Sequence, residues 1–217
     1  MNAVGVELEK QRAAEAAALL VEDGMAVGLG TGSTVAHLLP ALAARRLTIR
    51  CVATSPQTEG RAHALGIPVE PFEELDRLDI AIDGADQVAP DRWLIKGGGA
   101  AHTREKIVAA AADRFVVIVD STKVVSALRP PVPLELLTFG LPATLRLLEP
   151  AELRDAPATP EGGVIADYRG PVADPAQLAA CLSATPGVVE HGLFPPALVE
   201  RVLVARGSSV ESLAVRR

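Results

Sequence analysis

MAVGLGTGSTVAHLLPALAA, Met25 to Ala44, is the stretch that decides the fold. Met25 to Leu29 is a short apolar run ending at glycine, the pattern of a buried strand. From Thr34 onward Val35, Leu38, Leu39 and Leu42 recur at helical spacing, which predicts a helix from Thr34 to Ala44. Between the two lies GLGTGST, Gly28 to Thr34. A strand that feeds a glycine turn and then a helix is the repeating unit of a parallel α/β sheet.

The alternation continues on both sides of this unit. Helices are expected over Glu7–Glu22, Gln57–Leu65 and Ala101–Ala112. Leu8, Ala16, Leu19 and Leu20 mark the apolar stripe of the first. Strands are expected over Thr48–Ala53, Ile67–Val69, Asp79–Ile82, Arg92–Ile95 and Phe115–Val119. Several are apolar throughout, as strands covered by helices on both faces are. The composition changes at LRPPVPLE, Leu128 to Glu135, where three prolines make a stiff connection and a domain boundary. Beyond it the order is strand (Leu134–Leu137), helix (Leu141–Leu148), strand (Ala151–Arg154), strand (Val164–Tyr168), helix (Pro175–Ser183) and strand (Val188–Leu193). That is the split βαβ, or ferredoxin-like, arrangement. Val199–Ala205 and Val210–Val215 are strand-like and fit either domain. The predicted fold is a Rossmann-like parallel-sheet α/β domain, residues 1–129 and 207–217, with a smaller ferredoxin-like α+β domain, residues 130–206.

Composition narrows the function. The chain has 217 residues, 49% of them hydrophobic, and a formal net charge of -6. That balance argues against a nucleic-acid or membrane-surface protein. No apolar run is long enough to cross a bilayer, and MNAVGVELEKQ lacks the basic and apolar regions of a signal peptide. Cys51 and Cys181 lie in apolar contexts and are expected to be buried thiols in a reducing compartment, the cytoplasm. A single asparagine and few Met and Cys fit either a thermophilic protein or an Ala- and Arg-biased genome.

Ligands of open α/β sheets bind outside the carboxyl ends of the strands. Five segments put polar or glycine residues there: GLGTGST, ATSPQTE (Ala53–Glu59), DGAD (Asp83–Asp86), KGGG (Lys96–Gly99) and VDSTK (Val119–Lys123). GLGTGST offers converging backbone amides, a helix N-terminus and the hydroxyls of Thr31, Ser33 and Thr34, all suited to a phosphate. It is neither the dinucleotide fingerprint, since Ser33 replaces the third glycine, nor a P-loop, since no lysine follows. Alone it is equally served by a tight turn with a helix cap. DGAD alone is turn chemistry, but two carboxylates flanking one turn also suit sugar hydroxyls. Lys96 precedes three consecutive glycines, Gly97 to Gly99, which points either to left-handed dihedrals or to close approach of the backbone to a ligand. Glu105 is either a first-turn acid favoured by the helix dipole or a general base. Lys123 is a cap or a phosphate contact. His37 and His191 look structural, His63 exposed, and His102 lies near the site without making a metal site.

GLGTGST, TSPQTEGRAHALGI, DIAIDGAD, LIKGGGAAHTREKI, VDSTK, VPLELL and TPGVVEHGLF stand in the order and spacing of ribose-5-phosphate isomerase A, and the chain resembles that family from Glu9 to about Ala205. KGGGAA followed by TREK is the most specific part. The resemblance implies interconversion of ribose 5-phosphate and ribulose 5-phosphate in the non-oxidative pentose phosphate pathway, with no metal or cofactor, by a homodimer or homotetramer. It carries substrate contacts to Thr31, Gly32, Ser33 and Thr34, to Asp83, Gly84, Ala85 and Asp86, to Lys96, Gly97, Gly98 and Gly99, and to Lys123. It carries the proton acceptor to Glu105, with Lys96 and Asp83 assisting. Gln87 replaces a frequent glutamate, and His102 stands at an often apolar position. The alternatives are a non-catalytic sugar-phosphate sensor, a related deaminase or lactonase, and a metal-dependent isomerase using Asp83, Asp86, His102 and Glu105.

Overall fold

The computed structural model describes residues 3–75 and 77–214. In chain order the elements are α1 (Ala3–Ala18), β1 (Ala26–Leu29), α2 (Val35–Arg45), β2 (Arg50–Ala53), α3 (Pro56–Ala64), β3 (Ile80–Asp83), β4 (Gln87–Val88), β5 (Leu94–Ile95), α4 (His102–Ala111) and β6 (Phe115–Asp120). They continue as β7 (Val132–Leu136), α5 (Leu141–Leu147), β8 (Ala151–Leu153), β9 (Val164–Tyr168), α6 (Pro175–Ala184), β10 (Val188–His191), β11 (Leu193–Phe194), β12 (Arg201–Arg206) and β13 (Ser209–Ala214). Two compact units emerge: residues 1–85, 104–124 and 197–217, and residues 86–103 and 125–196.

The first unit carries a six-stranded sheet in the order β13-β12-β6-β3-β1-β2. β2, β1, β3, β6 and β12 run parallel, and β13 closes the edge as an antiparallel hairpin partner of β12. Side chains alternate across the sheet. On one face Val27, Leu29, Ile80, Ile82, Val116, Ile118, Leu203 and Ala205 share a core with residues of α1 and α2. On the other, the space a Cβ at Gly28 would fill is taken by Val108 of α4, 2.4 Å away. Helices therefore cover both faces, as the apolar strands predict. The buried stripe of α1 is Ala13, Ala14, Ala17 and Ala18, whereas Leu8 and Leu19 are exposed, against expectation.

The second unit has a four-stranded antiparallel sheet, β10-β7-β9-β8, and a three-stranded sheet, β11-β5-β4. The first of these has the strand order of the predicted ferredoxin-like arrangement. Val132, Leu134 and Leu136 of β7 form a core with Leu148, Ala166 and Leu182, against which Leu141, Leu145 and Leu178 pack. The alternate β7 residues, Pro133 and Glu135, are also buried, so the opposite face is covered too.

Some segments group, or pair, otherwise than expected. Residues 86–103, expected with the Rossmann-like part, cluster with 125–196 because β5 pairs with β4 on one side and with β11 on the other. Arg201–Arg206, expected in the smaller part, lies parallel to β6 in the six-stranded sheet. The strand expected over Val188–Leu193 is two strands in different sheets, parted at Gly192, where a Cβ would meet the Lys96 carbonyl oxygen at 2.2 Å. The strand expected over Ile67–Val69 is reduced to a single bridge between Cys51 and Val69. Val215, the expected end of the last strand, and the rest of 215–217 lie outside the described residues.

Candidate functional site

Of the five expected strand ends, four follow strands of the six-stranded sheet: β1, β2, β3 and β6. The fifth, KGGG, follows β5 of the three-stranded sheet. The predicted residues divide accordingly, with Thr31–Thr34, Asp83–Ala85, Glu105 and Lys123 in the first unit and Asp86 and Lys96–Gly99 in the second.

In the first unit the glycine loop is clamped by Asp83. Its Oδ1 accepts the amide of Thr31 at 3.0 Å and that of Gly84 at 2.7 Å. The side chain is buried, and a Cβ on Gly30 would stand 2.0 Å from its Cγ. Gly32 has φ +118, a conformation that favours glycine. Thr34 precedes α2 with helical dihedrals and makes no side-chain cap, so the first turn of α2 is not closed by that hydroxyl. The Thr31 hydroxyl is 2.8 Å from both Thr54 Oγ1 and Ser55 Oγ. Thr58 Oγ1 donates to the Gly30 carbonyl at 2.9 Å, and Ser55 also caps α3 by accepting the Thr58 amide. The ATSPQTE segment thus buttresses the loop from below. No residue of it was singled out from sequence, though its hydroxyl density was the available signal.

Lys123 is half-buried in a 3-10 turn, Ser121–Lys123, opened by Asp120, which accepts the Thr122 amide at 2.9 Å. That turn is fixed by a residue sequence reading passed over. Glu9 of α1, buried, accepts the Ser121 amide at 2.9 Å, the Ser121 hydroxyl at 2.6 Å and the Gly207 amide at 2.7 Å. Burial pushes the Glu9 pKa up, but these donors, Gly207 foremost, outweigh it and hold the carboxyl below its ordinary value. Glu105 lies in the first turn of α4 and is 5% exposed.

In the second unit Lys96 is 2% exposed, with its ammonium 5.4 Å from the centroid of the Phe194 ring, a cation–π distance. Its amide donates to the Gly192 carbonyl at 2.9 Å. Gly97 has φ +103, and a Cβ there would meet His102 Nδ1 at 2.7 Å and Pro133 at 2.9 Å. The Gly98 amide donates to Asp86 Oδ2 at 2.7 Å, and a Cβ on Gly98 would stand 2.7 Å from Asp86 Oδ1. The glycine run therefore first answers to the protein's own carboxylate and histidine.

His102 is fully buried, and His191 is buried with its Nε2 3.1 Å from Ser183 Oγ. His37 reaches Glu7 at 3.1 Å. Cys51 is buried, which pushes its thiol up to about 12, with Glu70 adding to the shift. Cys181 is exposed, not buried as expected: it lies on the outer side of α6, whose buried residue is Leu182. Among the described residues no three His, Cys, Asp or Glu side chains are grouped to hold a metal ion.

The family model described as ribose 5-phosphate isomerase A (phosphoriboisomerase A) matches residues 50–209. The chain belongs to the ribose 5-phosphate isomerase A family. The family's ribose-5-phosphate isomerase A from Natronomonas pharaonis is 47% identical over 221 residues, covering 95% of this chain and 97% of its own. Among solved structures, ribose 5-phosphate isomerase A from Methanocaldococcus jannaschii is 36% identical with a TM-score of 0.91, covering 96% of this chain and 99% of its own. A D-ribose-5-phosphate isomerase in complex with phospho-erythronic acid is also 36% identical, with a TM-score of 0.92 over 99% of this chain and all of its own. The isomerase A relatives do not favour the sensor, deaminase or lactonase alternatives.

Proposed function

We propose that the protein interconverts D-ribose 5-phosphate and D-ribulose 5-phosphate through a cis-enediolate, as a step of the pentose phosphate pathway. The reaction moves a proton between C1 and C2 of an open-chain sugar. It needs a base for the carbon and a positive partner for the oxygen that gains charge. Glu105 takes the proton from C2 of the aldose and returns it to C1. Lys96 stabilises the enediolate oxygen. Asp83 moves hydroxyl protons and assists ring opening, and Asp86 orients hydroxyls. Gly84, Ala85 and the run Gly97–Gly99 line the sugar, and Thr31, Gly32, Ser33 and Thr34 hold the phosphate with Lys123.

The observation that carries this reading is the burial of both required charges, Lys96 at 2% and Glu105 at 5% exposed, within the motif KGGGAA-TREK. Water screens a buried charge poorly, so each acts strongly on a reacting group. The decisive experiment is incubation with ribose 5-phosphate in excess chelator while ketose is measured. Ketose formation is expected. None under any condition would overturn the reading, and formation only after a divalent ion is restored would favour the metal-dependent alternative.

A homodimer or homotetramer in the cytoplasm completes the proposal. Phe139, 92% exposed, and Leu147 are apolar side chains available to a second copy. Among the described residues no helix is long and apolar enough to cross a membrane. Sedimentation at equilibrium tests the assembly, and a monomer at micromolar concentration would remove it.

A further inference from the structure

Arg154 follows β8 and was given no role above. Its guanidinium faces two partners at once. Nε and Nη2 donate to the two carboxylate oxygens of Asp167, at 3.1 and 2.5 Å. Nη1 donates to the carbonyls of Gly97 at 3.0 Å and Gly98 at 3.2 Å. Both side chains are largely buried, 21% exposed for Arg154 and 13% for Asp167. Asp167 lies opposite Pro133 across the β7–β9 ladder, and Pro133 packs beneath Gly97. The paired strands thus present the arginine fork to the glycine turn.

The consequence follows from peptide planarity. The carbonyl of Gly97 and the amide of Gly98 belong to one rigid unit. Arg154 holds its oxygen and Asp86 holds its N–H, at 2.7 Å. The next unit joins the carbonyl of Gly98 to the amide of Gly99. Arg154 holds that oxygen too, and in a trans peptide the N–H points the opposite way. One guanidinium therefore sets the direction of the Gly99 amide. Three glycines in a row have the backbone freedom to turn their peptides over at little cost. Something must restrain them if that backbone is to meet a substrate in one orientation.

We infer that Arg154, locked by Asp167, is a positioning residue for isomerisation: it fixes the peptides on either side of Gly98 so that the glycine turn meets the sugar oxygens preorganised. The inference rests on the isomerase reading above. Only arginine offers the planar fork that serves a carboxylate and two carbonyls together; lysine keeps the charge and loses the geometry.

The test compares Arg154→Met, Arg154→Lys and Arg154→Ala with the unaltered protein by steady-state kinetics, thermal unfolding and amide hydrogen exchange over residues 96–101. Arg154→Met should lower kcat by about 10- to 100-fold, the scale of a mispositioned site, with a smaller change in KM. Exchange should quicken within that segment and not elsewhere. Arg154→Lys should fold, and should fall short of full activity because the fork is lost. Adding guanidinium ion at non-denaturing concentration to Arg154→Ala should restore part of kcat, which a purely structural role would not show. Unchanged kcat in folded variants, or unchanged exchange over 96–101, overturns the inference. If the unaltered protein fails to isomerise, the functional reading falls, while the exchange comparison still decides whether Arg154 holds the turn.

Discussion

Two of the glycine-bearing turns, Gly28–Thr34 and Lys96–Gly99, differ in how they are held. In the first, Gly28 and Gly30 are bare because neighbours occupy their Cβ space: Val108 and Asp83 approach within 2.4 and 2.0 Å of it. Val108 is buried, and Asp83 is held by two backbone amides. Beyond the Asp83 carboxylate, the surrounding support is neutral, a set of hydroxyls from Thr31, Thr54, Ser55 and Thr58. Gly32 of the first turn and Gly97 of the second both have positive φ, and His102 and Pro133 also crowd the Cβ position of Gly97, whereas Gly98 faces the end of an Asp86 side chain. There the support is charged, from Arg154 and Asp86. The first turn is packed closely around one carboxylate, and at Gly98 the second is a freer backbone held by ions.

The strongest way to sharpen this contrast is to remove the charge assigned to the chemistry. Glu105→Gln keeps the shape and removes the base, so kcat should fall by about 10²–10⁴-fold with KM little changed. Steady-state rates with ribose 5-phosphate check this, and near-normal kcat would pass the role to Asp83. Next comes a matched pair, Gly30→Ala and Gly98→Ala, followed by thermal or denaturant unfolding. Gly30→Ala forces a methyl against a clamped carboxylate and should cost about 1–3 kcal/mol of stability. Gly98→Ala meets a carboxylate that can swing away, so stability should drop less while activity falls. Equal losses of stability in the two would erase the distinction between close packing and held backbone.

Lys123→Ala should raise KM for ribose 5-phosphate by about 10-fold, the lower end of a charged hydrogen bond, and leave turnover of unphosphorylated ribose unaltered. Equal damage to both sugars would place Lys123 with the reacting carbons. The smallest effect concerns Glu9. Its pKa is lowered in the folded protein from an ordinary 4.5. Its stabilising contribution is therefore fully present above that value and is lost as pH falls through the lowered one. Acid unfolding of Glu9→Gln should show a shallower fall in stability below about pH 4.5 than the unaltered chain; superimposable acid limbs would deny Glu9 this part.

The fold was legible where elements bury themselves by local pattern. β1, α2 and β6 announce themselves through runs such as FVVIVD and the spacing of Val35, Leu38, Leu39 and Leu42. What escaped depends on partners distant in sequence. β4 is two residues long and exists because β5 pairs with it. Glu9 looks like an ordinary surface residue of α1 until Ser121 and Gly207 are brought to it. Arg154 is one arginine among many until β9 supplies Asp167. The motif glycines are visible in the sequence, but the side chains that face them, Asp86 and His102, are not.

The parallel pairing of β6 with β12 has a consequence for how the chain acquires its structure. All segments of the second unit precede Arg201 in the chain. A ribosome adding roughly 5–20 residues per second therefore delivers the whole second unit before β12 exists. During those seconds β6, whose six residues are all buried in the finished sheet, waits with one edge unpaired. An apolar strand with an open edge is a template for pairing between chains, and long-range parallel pairing is slow to form. The nascent protein is thus most exposed to self-association in the interval between the synthesis of Asp120 and that of Arg206, and a chain interrupted before Arg201 would never leave it.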